Sequence, residues 1–228
     1  MLAARMPDTQ GMDAAAIGDV FCASLRRSAR QTTPYRHWLL DGALPEATCL
    51  AIEALPHAPP AIADTHGRRE THNSTRSFFG ADAQSRHEVC RAMAEAFQSA
   101  AVTNTIETLC GIDLRGLFLR IEYCLDTDGF WLEPHTDIGA KRFTMLIYLS
   151  DAPGSEAWGT DICAPDGSLI ATTPYRRNGG LIFIPASDTW HGFARRPITG
   201  VRRSLIVNYV APEWRARHEL AFAQTAVK

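Results

Sequence analysis

No two of the six cysteines stand in a CxxC pair, and none of them cluster. That scatter excludes a zinc knuckle and a small disulfide-stapled scaffold, and it fits a chain kept reduced in the cytoplasm. No apolar run approaches the length of a membrane span. The N-terminus carries Arg5 but no signal-like hydrophobic stretch, so the sequence reads as soluble and intracellular. A surplus of one charge is also missing, since 23 Lys and Arg stand against 25 Asp and Glu. Arg26-Arg27, Arg176-Arg177 and Arg195-Arg196 are too short to form a basic stripe, so neither nucleic acid nor an anionic membrane surface is an expected partner. No internal repeat is visible. Asn73-Ser74-Thr75 has the form of a glycosylation sequon, which without a secretion signal reads as chance.

What is present is enough apolar residue, 46% of the chain, to bury one sizeable core, and residues 1–228 read as a single domain. Ile17, Val20, Phe21 and Leu25 follow Asp13 at helical spacing and close on basic residues, which predicts a first helix. Tyr35 to Leu40 reads as extended, and a second helix begins at Pro45-Glu46 and runs to about Leu55. Ser85-Arg86-His87-Glu88 has capping-box spacing, so a third helix is expected from Ser85 to about Ala100, with a short one ending at Gly111. Beyond that point the period changes to two. Leu117–Tyr123, Phe143–Leu149, Leu181–Ile184 and Val201–Val210 read as strands, with turns at Pro165-Asp166-Gly167 and Asn178-Gly179-Gly180. The expected organisation is helical support and a substrate loop over 1–112, a β core over 113–210 and a tail over 211–228. That is an α+β fold with N-terminal helices packed on one face of a sandwich or barrel.

The chemistry concentrates in the β half. In an extended chain, His135 and Asp137 project to the same side and offer an imidazole nitrogen and a carboxylate oxygen to one point. A metal held for oxygen chemistry needs a third protein ligand that leaves the opposite positions open, the two-histidine, one-carboxylate arrangement of non-haem iron(II). His218 lies in a charged tail, whereas His191 follows the apolar run Leu181–Ile184, so His191 is the expected third ligand. Eleven residues further on, Arg202 and Ser204 share a strand face, and a guanidinium beside a hydroxyl is a receptor for a carboxylate. A register slip of one residue would give that role to Arg203 instead.

The ordered set His135-x-Asp137, His191 and Arg202-x-Ser204 resembles the Fe(II)- and 2-oxoglutarate-dependent oxygenases, in particular their compact prolyl-hydroxylase-like branch. The resemblance implies a double-stranded β-helix, the cupin-like jelly roll, over roughly Leu117–Tyr209. It implies iron(II) on His135, Asp137 and His191, with O2 and 2-oxoglutarate as cosubstrates and ascorbate as a stimulant. The distal carboxylate of 2-oxoglutarate would meet Arg202 and Ser204, with Tyr148 as a further donor and Tyr123 lining the same pocket. The implied reaction hydroxylates an unactivated C–H bond of a small molecule and releases succinate and carbon dioxide. Asp137 sets the chain apart from the related halogenases, in which a small residue replaces the acid. For the prime substrate the candidates are Asn73, Arg76, Phe78, Arg120, Trp131 and Trp190, with Arg76 and Arg120 suited to an anionic group and the loop 56–80 suited to a lid. The competing reading is a cupin-like metal-dependent isomerase or a metal-binding sensor that turns over no 2-oxoglutarate.

Overall fold

The structure is a computed structural model that describes residues 13–71, 76–137 and 139–228. It opens with helix α1 (Ala14–Arg27), whose N-cap Asp13 accepts a hydrogen bond from Ala16 N. Ile17, Phe21 and Leu25 are buried, and Arg26 and Arg27 in the last turn complement the helix dipole. Strands β1 (Arg30–Gln31) and β2 (His37–Leu40) and helix α2 (Glu46–Glu53) follow. After an irregular stretch come β3 (Ser77–Phe78), α3 (Ala81–Arg86), α4 (Glu88–Gln98) and α5 (Ala100–Cys110).

The single helix expected over Ser85–Ala100 is thus broken twice, because His87 and Ser99 are both extended. The capping box does not form: the Ser85 hydroxyl donates back to Asp82 O at 2.7 Å, and no side chain caps α4. Ser99 instead starts α5, its hydroxyl accepting from Val102 N. The apolar face itself is as expected, with Val89, Met93 and Phe97 buried on α4, and Phe97 packs against Phe21 of α1 with ring centroids 4.9 Å apart. Each such ring stabilises the fold by on the order of 2–3 kcal/mol on leaving water.

The β half contains β4 (Phe118–Asp126), β5 (Leu132–His135), β6 (Lys141–Tyr148), β7 (Asp161–Cys163), β8 (Leu169–Thr172), β9 (Gly180–Phe183), β10 (His191–Phe193) and β11 (Arg202–Val210). Two antiparallel sheets result, one ordered β1-β2-β9-β6-β11-β4-β3 and the other β5-β10-β7-β8. This is an α+β jelly roll with the helices on one face of the larger sheet.

Strand alternation decides what faces what. On β4, β6 and β11 the odd-numbered residues Leu119, Ile121, Leu125, Phe143, Met145, Ile147, Leu205 and Val207 join the helices in one apolar core. The even-numbered side of β4 and β11 is polar although buried: Arg120, Glu122, Asp126, Arg202, Ser204 and Asn208 all lie there. A second core, including Leu146, Tyr148, Phe183, Phe193 and Trp158, fills part of the space between the sheets. The remaining space is the cavity described below. The tail after Val210 is not helical beyond one 3-10 turn at Arg217–Glu219, and Ala221 and Val227 pack into the main core. Among the described residues no helix is long and apolar enough to cross a membrane.

Candidate metal centre

His135 ends β5 and His191 opens β10, and the two are direct partners across the antiparallel ladder. Their rings lie 4.4 Å apart, centroid to centroid. Gly192 permits this approach, because a Cβ there would sit 3.0 Å from Leu132 O and 3.2 Å from Pro134 N. Asp137 follows β5 by two residues, and ligand atoms of His135, Asp137 and His191 all lie within 4.8 Å of one another.

Each donor is oriented by a neighbour. His135 Nδ1 lies 2.7 Å from Glu133 O, and His191 Nδ1 lies 2.9 Å from Thr189 O. A carbonyl only accepts, so Nδ1 carries the hydrogen in both rings and each Nε2 keeps its lone pair for a metal. The Asp137 carboxylate accepts from Thr144 Oγ1 and from Lys141 Nζ, both at 2.6 Å. Burial pushes His191 down to about 4, which keeps the imidazole neutral and ready to coordinate at neutral pH. Burial opposes the charge on Asp137, but Lys141, His191 and the Thr144 hydrogen bond outweigh it and hold the acid below its ordinary range. Two imidazoles and one carboxylate, gathered around one point, are a donor set suited to iron(II).

The triad borders a cavity of about 530 Å³, a usual size for a small-molecule site. Arg202 lines it; its Nη1 donates to Asp126 Oδ2 at 2.6 Å and its Nε to Trp158 O at 2.8 Å, while Nη2 has no hydrogen-bond partner among the described residues. Asp126 also accepts from Arg69 Nη1 at 3.0 Å. Two guanidiniums therefore share one buried carboxylate, which leaves one positive charge in excess. Ser204 Oγ is buried without a hydrogen-bond partner among the described residues. An uncompensated guanidinium charge and an orphaned hydroxyl on one strand face fit a carboxylate ligand. Tyr148 is buried on the neighbouring strand, 6.0 Å from the Arg202 guanidinium carbon to its ring centroid, and its hydroxyl meets Thr160 Oγ1 and Thr173 Oγ1 at 2.9 and 2.8 Å.

Ser204 and Tyr148 are fully buried beside Arg202 and are not among the residues that line the cavity, and other expected site residues fall farther from it. Tyr123 is on the helix side of β4, within the main core, and Arg203 on β11 also points away from the site, so neither residue lines the cavity. Phe78 packs edge-on to His218 and under the Arg120 guanidinium, 4.8 Å away. Trp131 is held by Asp64, which accepts from its Nε1 at 2.6 Å, and is stacked 4.3 Å beneath Arg195. Trp190 contributes its backbone carbonyl to Tyr35 and Cys163. None of these three aromatics lines the cavity. Asn73 lies outside the described residues.

Arg76 and Arg120 do line it, but neither offers a bare cation. Arg76 forks onto Glu122 at 2.6 and 2.7 Å, and Arg120 meets Glu122 at 2.9 Å and Glu219 at 2.6 Å. The loop 56–80 touches the site through Gly67, Arg69 and Arg76, and Gly67 O accepts from Glu133 N beside the metal strand.

Sequence reasoning missed Asp126, Arg69, Glu122, Thr144 and Asn208. For the four on strands the signal was in the strand phase, since polar residues at alternate positions of otherwise apolar strands mark a wetted or ligand-facing side, whereas the loop residue Arg69 carried no such signal.

No protein-family model matches the chain, and no curated protein matches it. Solved structures do match in fold. A prolyl-4-hydroxylase from Pseudomonas putida superposes with a TM-score of 0.53 at 14% identity, covering 92% of this chain and 98% of that one. A prolyl hydroxylase from Trichoplax adhaerens, solved with a hypoxia-inducible-factor peptide fragment, gives 0.56 at 10% identity over 89% and 93% of the two chains. The non-heme α-ketoglutarate-dependent epimerase SnoN from nogalamycin biosynthesis gives 0.50 at 20% identity over 88% and 84%. The fold of this chain is therefore that of the prolyl-hydroxylase-like 2-oxoglutarate and iron(II) oxygenases.

Proposed function

We propose that this protein is an Fe(II)- and 2-oxoglutarate-dependent dioxygenase that hydroxylates an unactivated C–H bond of a small molecule. The observation that carries the reading is the His135–Asp137–His191 cluster, whose ligand atoms lie within 4.8 Å of one another on the wall of a jelly-roll cavity. When bound, iron with 2-oxoglutarate and O2 supplies the oxidation: 2-oxoglutarate leaves as succinate and carbon dioxide, one oxygen atom enters succinate and the other the substrate C–H bond.

The chain's own residues hold and orient the reactants. His135, His191 and Asp137 would hold the iron, which would supply the oxidation with 2-oxoglutarate and O2. Arg202, with Ser204 and Tyr148 beside it, holds the distal carboxylate of 2-oxoglutarate. Asp126 fixes the Arg202 guanidinium in place, so the receptor is ordered before the ligand arrives. Phe193 and Leu146 give the cavity an apolar wall that limits water around the oxidation.

Hydroxylation is preferred over epimerisation or desaturation as the simplest outcome for this donor set. A small molecule is preferred over a peptide because the cavity, at about 530 Å³, suits a compact ligand. All six cysteines are free thiols, in keeping with a reducing compartment such as the cytoplasm.

The test is succinate formation from 2-oxoglutarate with Fe(II), ascorbate and O2, expected in the wild type and abolished in Asp137→Ala. If the purified protein binds metal but neither binds 2-oxoglutarate anaerobically nor forms succinate, the reading gives way to a metal-dependent isomerase or sensor.

A further inference from the structure

The cavity wall carries two charge groups, each built around a buried carboxylate, that differ in net charge. In the first, Arg69 and Arg202 share Asp126, leaving one excess positive charge, the feature assigned above to 2-oxoglutarate. In the second, Arg76 and Arg120 face Glu122 and Glu219, two charges of each sign. Arg120 and Glu122 expose only 2% and 1% of their side chains, so their pairing is not weakened by water.

Within this second group the charged atoms are spent on one another. Both Glu122 oxygens accept from Arg76, Oε2 is also paired with Arg120, and Oε1 takes the Cys124 thiol. Arg120 gives its Nε to Glu219 and its Nη1 to Asn208, and its guanidinium stacks between Phe78 and Trp214. Burial alone would raise the Glu122 carboxyl, but Arg120, Arg76 and Arg69 overcome it and keep the group ionised. The more exposed lining residues Arg68, Lys141, Glu70 and Glu133 again carry two charges of each sign.

An anionic group brought to this end would desolvate beside Glu122 and Glu219 with no excess cation to receive it. An amine would meet Arg76 and Arg120 with no excess anion. An uncharged hydroxyl, ether or amide pays neither penalty and can exchange hydrogen bonds with guanidinium N–H and carboxylate oxygens.

Resting on the dioxygenase reading, we propose that the Arg76–Glu122–Arg120–Glu219 end of the cavity is the prime-substrate subsite and that it selects an uncharged polar group, not a carboxylate, phosphate or amine. This reverses the expectation from sequence that Arg76 and Arg120 receive an anion.

The experiment uses the full chain loaded with Ni(II) and 2-oxoglutarate under anaerobic conditions. Probes come as triplets on one scaffold, such as benzyl alcohol, benzoate and benzylamine with their cyclohexyl counterparts. The indole N–H resonance of Trp214, which lines this end of the cavity, is identified by its loss in Trp214→Phe and reports occupancy. The alcohols are expected to move it at concentrations about tenfold below those of the matched carboxylates and amines, the effect of one uncompensated charge in a partly screened site. Glu219→Gln removes a negative charge and should shift the preference about tenfold toward the carboxylate; Arg76→Gln should shift it as far toward the amine. Two variants with opposite expected signs separate a charge effect from a loss of folding. The proposal is overturned if wild type prefers a charged member, if neither variant changes the ratio of alcohol to charged-probe affinity in the stated direction, or if no probe moves the Trp214 signal. Succinate formation, followed in parallel, reports on the dioxygenase reading independently.

Discussion

Replacing Thr144 by Val should cost this protein most of its metal affinity while leaving its shape almost unchanged. The Asp137 carboxylate can only accept, so Thr144 Oγ1 must donate across the 2.6 Å contact. That hydroxyl in turn accepts from Asn208 Nδ2 at 3.0 Å, and Asn208 Oδ1 accepts from Arg120 Nη1 at 3.1 Å. The chain Arg120 to Asn208 to Thr144 to Asp137 therefore runs in one direction and ends on a proposed metal ligand. Valine keeps the volume of threonine but removes a charge-assisted bond worth roughly 1.5–3 kcal/mol, or about 10- to 100-fold in affinity. Asn208 Nδ2 retains Phe143 O at 3.3 Å, so the fold should survive. Losing the Thr144 bond also lets the Asp137 carboxyl rise, so metal release on acidification should begin at a higher pH than in wild type. The assay is titration with Co(II) or Ni(II), read by calorimetry and, for Co(II), by the visible absorption that reports ligand geometry. Thr144→Ser, which keeps the hydroxyl, should restore most of the affinity. An unchanged Kd in Thr144→Val, or an equal loss in Thr144→Ser, would refute the positioning argument.

Three further outcomes follow from the same geometry. Arg202→Ala should raise the half-saturating 2-oxoglutarate concentration by about 100-fold, since it leaves a carboxylate without its buried partner; a change under about threefold, measured by succinate release, would remove Arg202 from the receptor. Tyr148→Phe should raise the same quantity by up to about tenfold, whereas Tyr123→Phe, altered on the opposite face of the sheet, should leave it unchanged. The metal-free protein should lose stability as the pH falls from about 6.5 to 4. His191 is depressed to about 4, so the unfolded chain takes its proton first and the folded state forfeits roughly 3 kcal/mol across that window, regaining it as the pH rises. Urea denaturation at several pH values measures this, and a flat dependence in His191→Gln would assign it to that ring.

Local pattern carried much of this site. The strand phase of β11 separates Arg202, Ser204 and Asn208 from Leu205, Val207 and Tyr209, which puts Arg203 on the core side without any structure. The same phase was available on β4, where Tyr123 keeps step with Leu119, Ile121 and Leu125, while Arg120, Glu122 and Asp126 alternate with them. Applied there, it would have withdrawn Tyr123 from the cofactor pocket and added Asp126. What no local pattern held was pairing between distant segments. That His135 lies opposite His191 depends on β5 meeting β10, and that Asp126 sits between two arginines depends on loop residue Arg69 reaching the strand partner of Arg202. Such contacts decide the charge a ligand encounters. Arg76 and Arg120 looked like anion receptors as isolated residues, and Glu122 on the adjacent alternate position of β4, with Glu219 from the tail, cancels them. Arg202 escapes the same fate only because Arg69 shares its counter-ion. The difference between the proposed cosubstrate receptor and a neutral wall therefore lies in how many guanidiniums each carboxylate meets directly, two on Asp126 alone against two on Glu122 and Glu219 together.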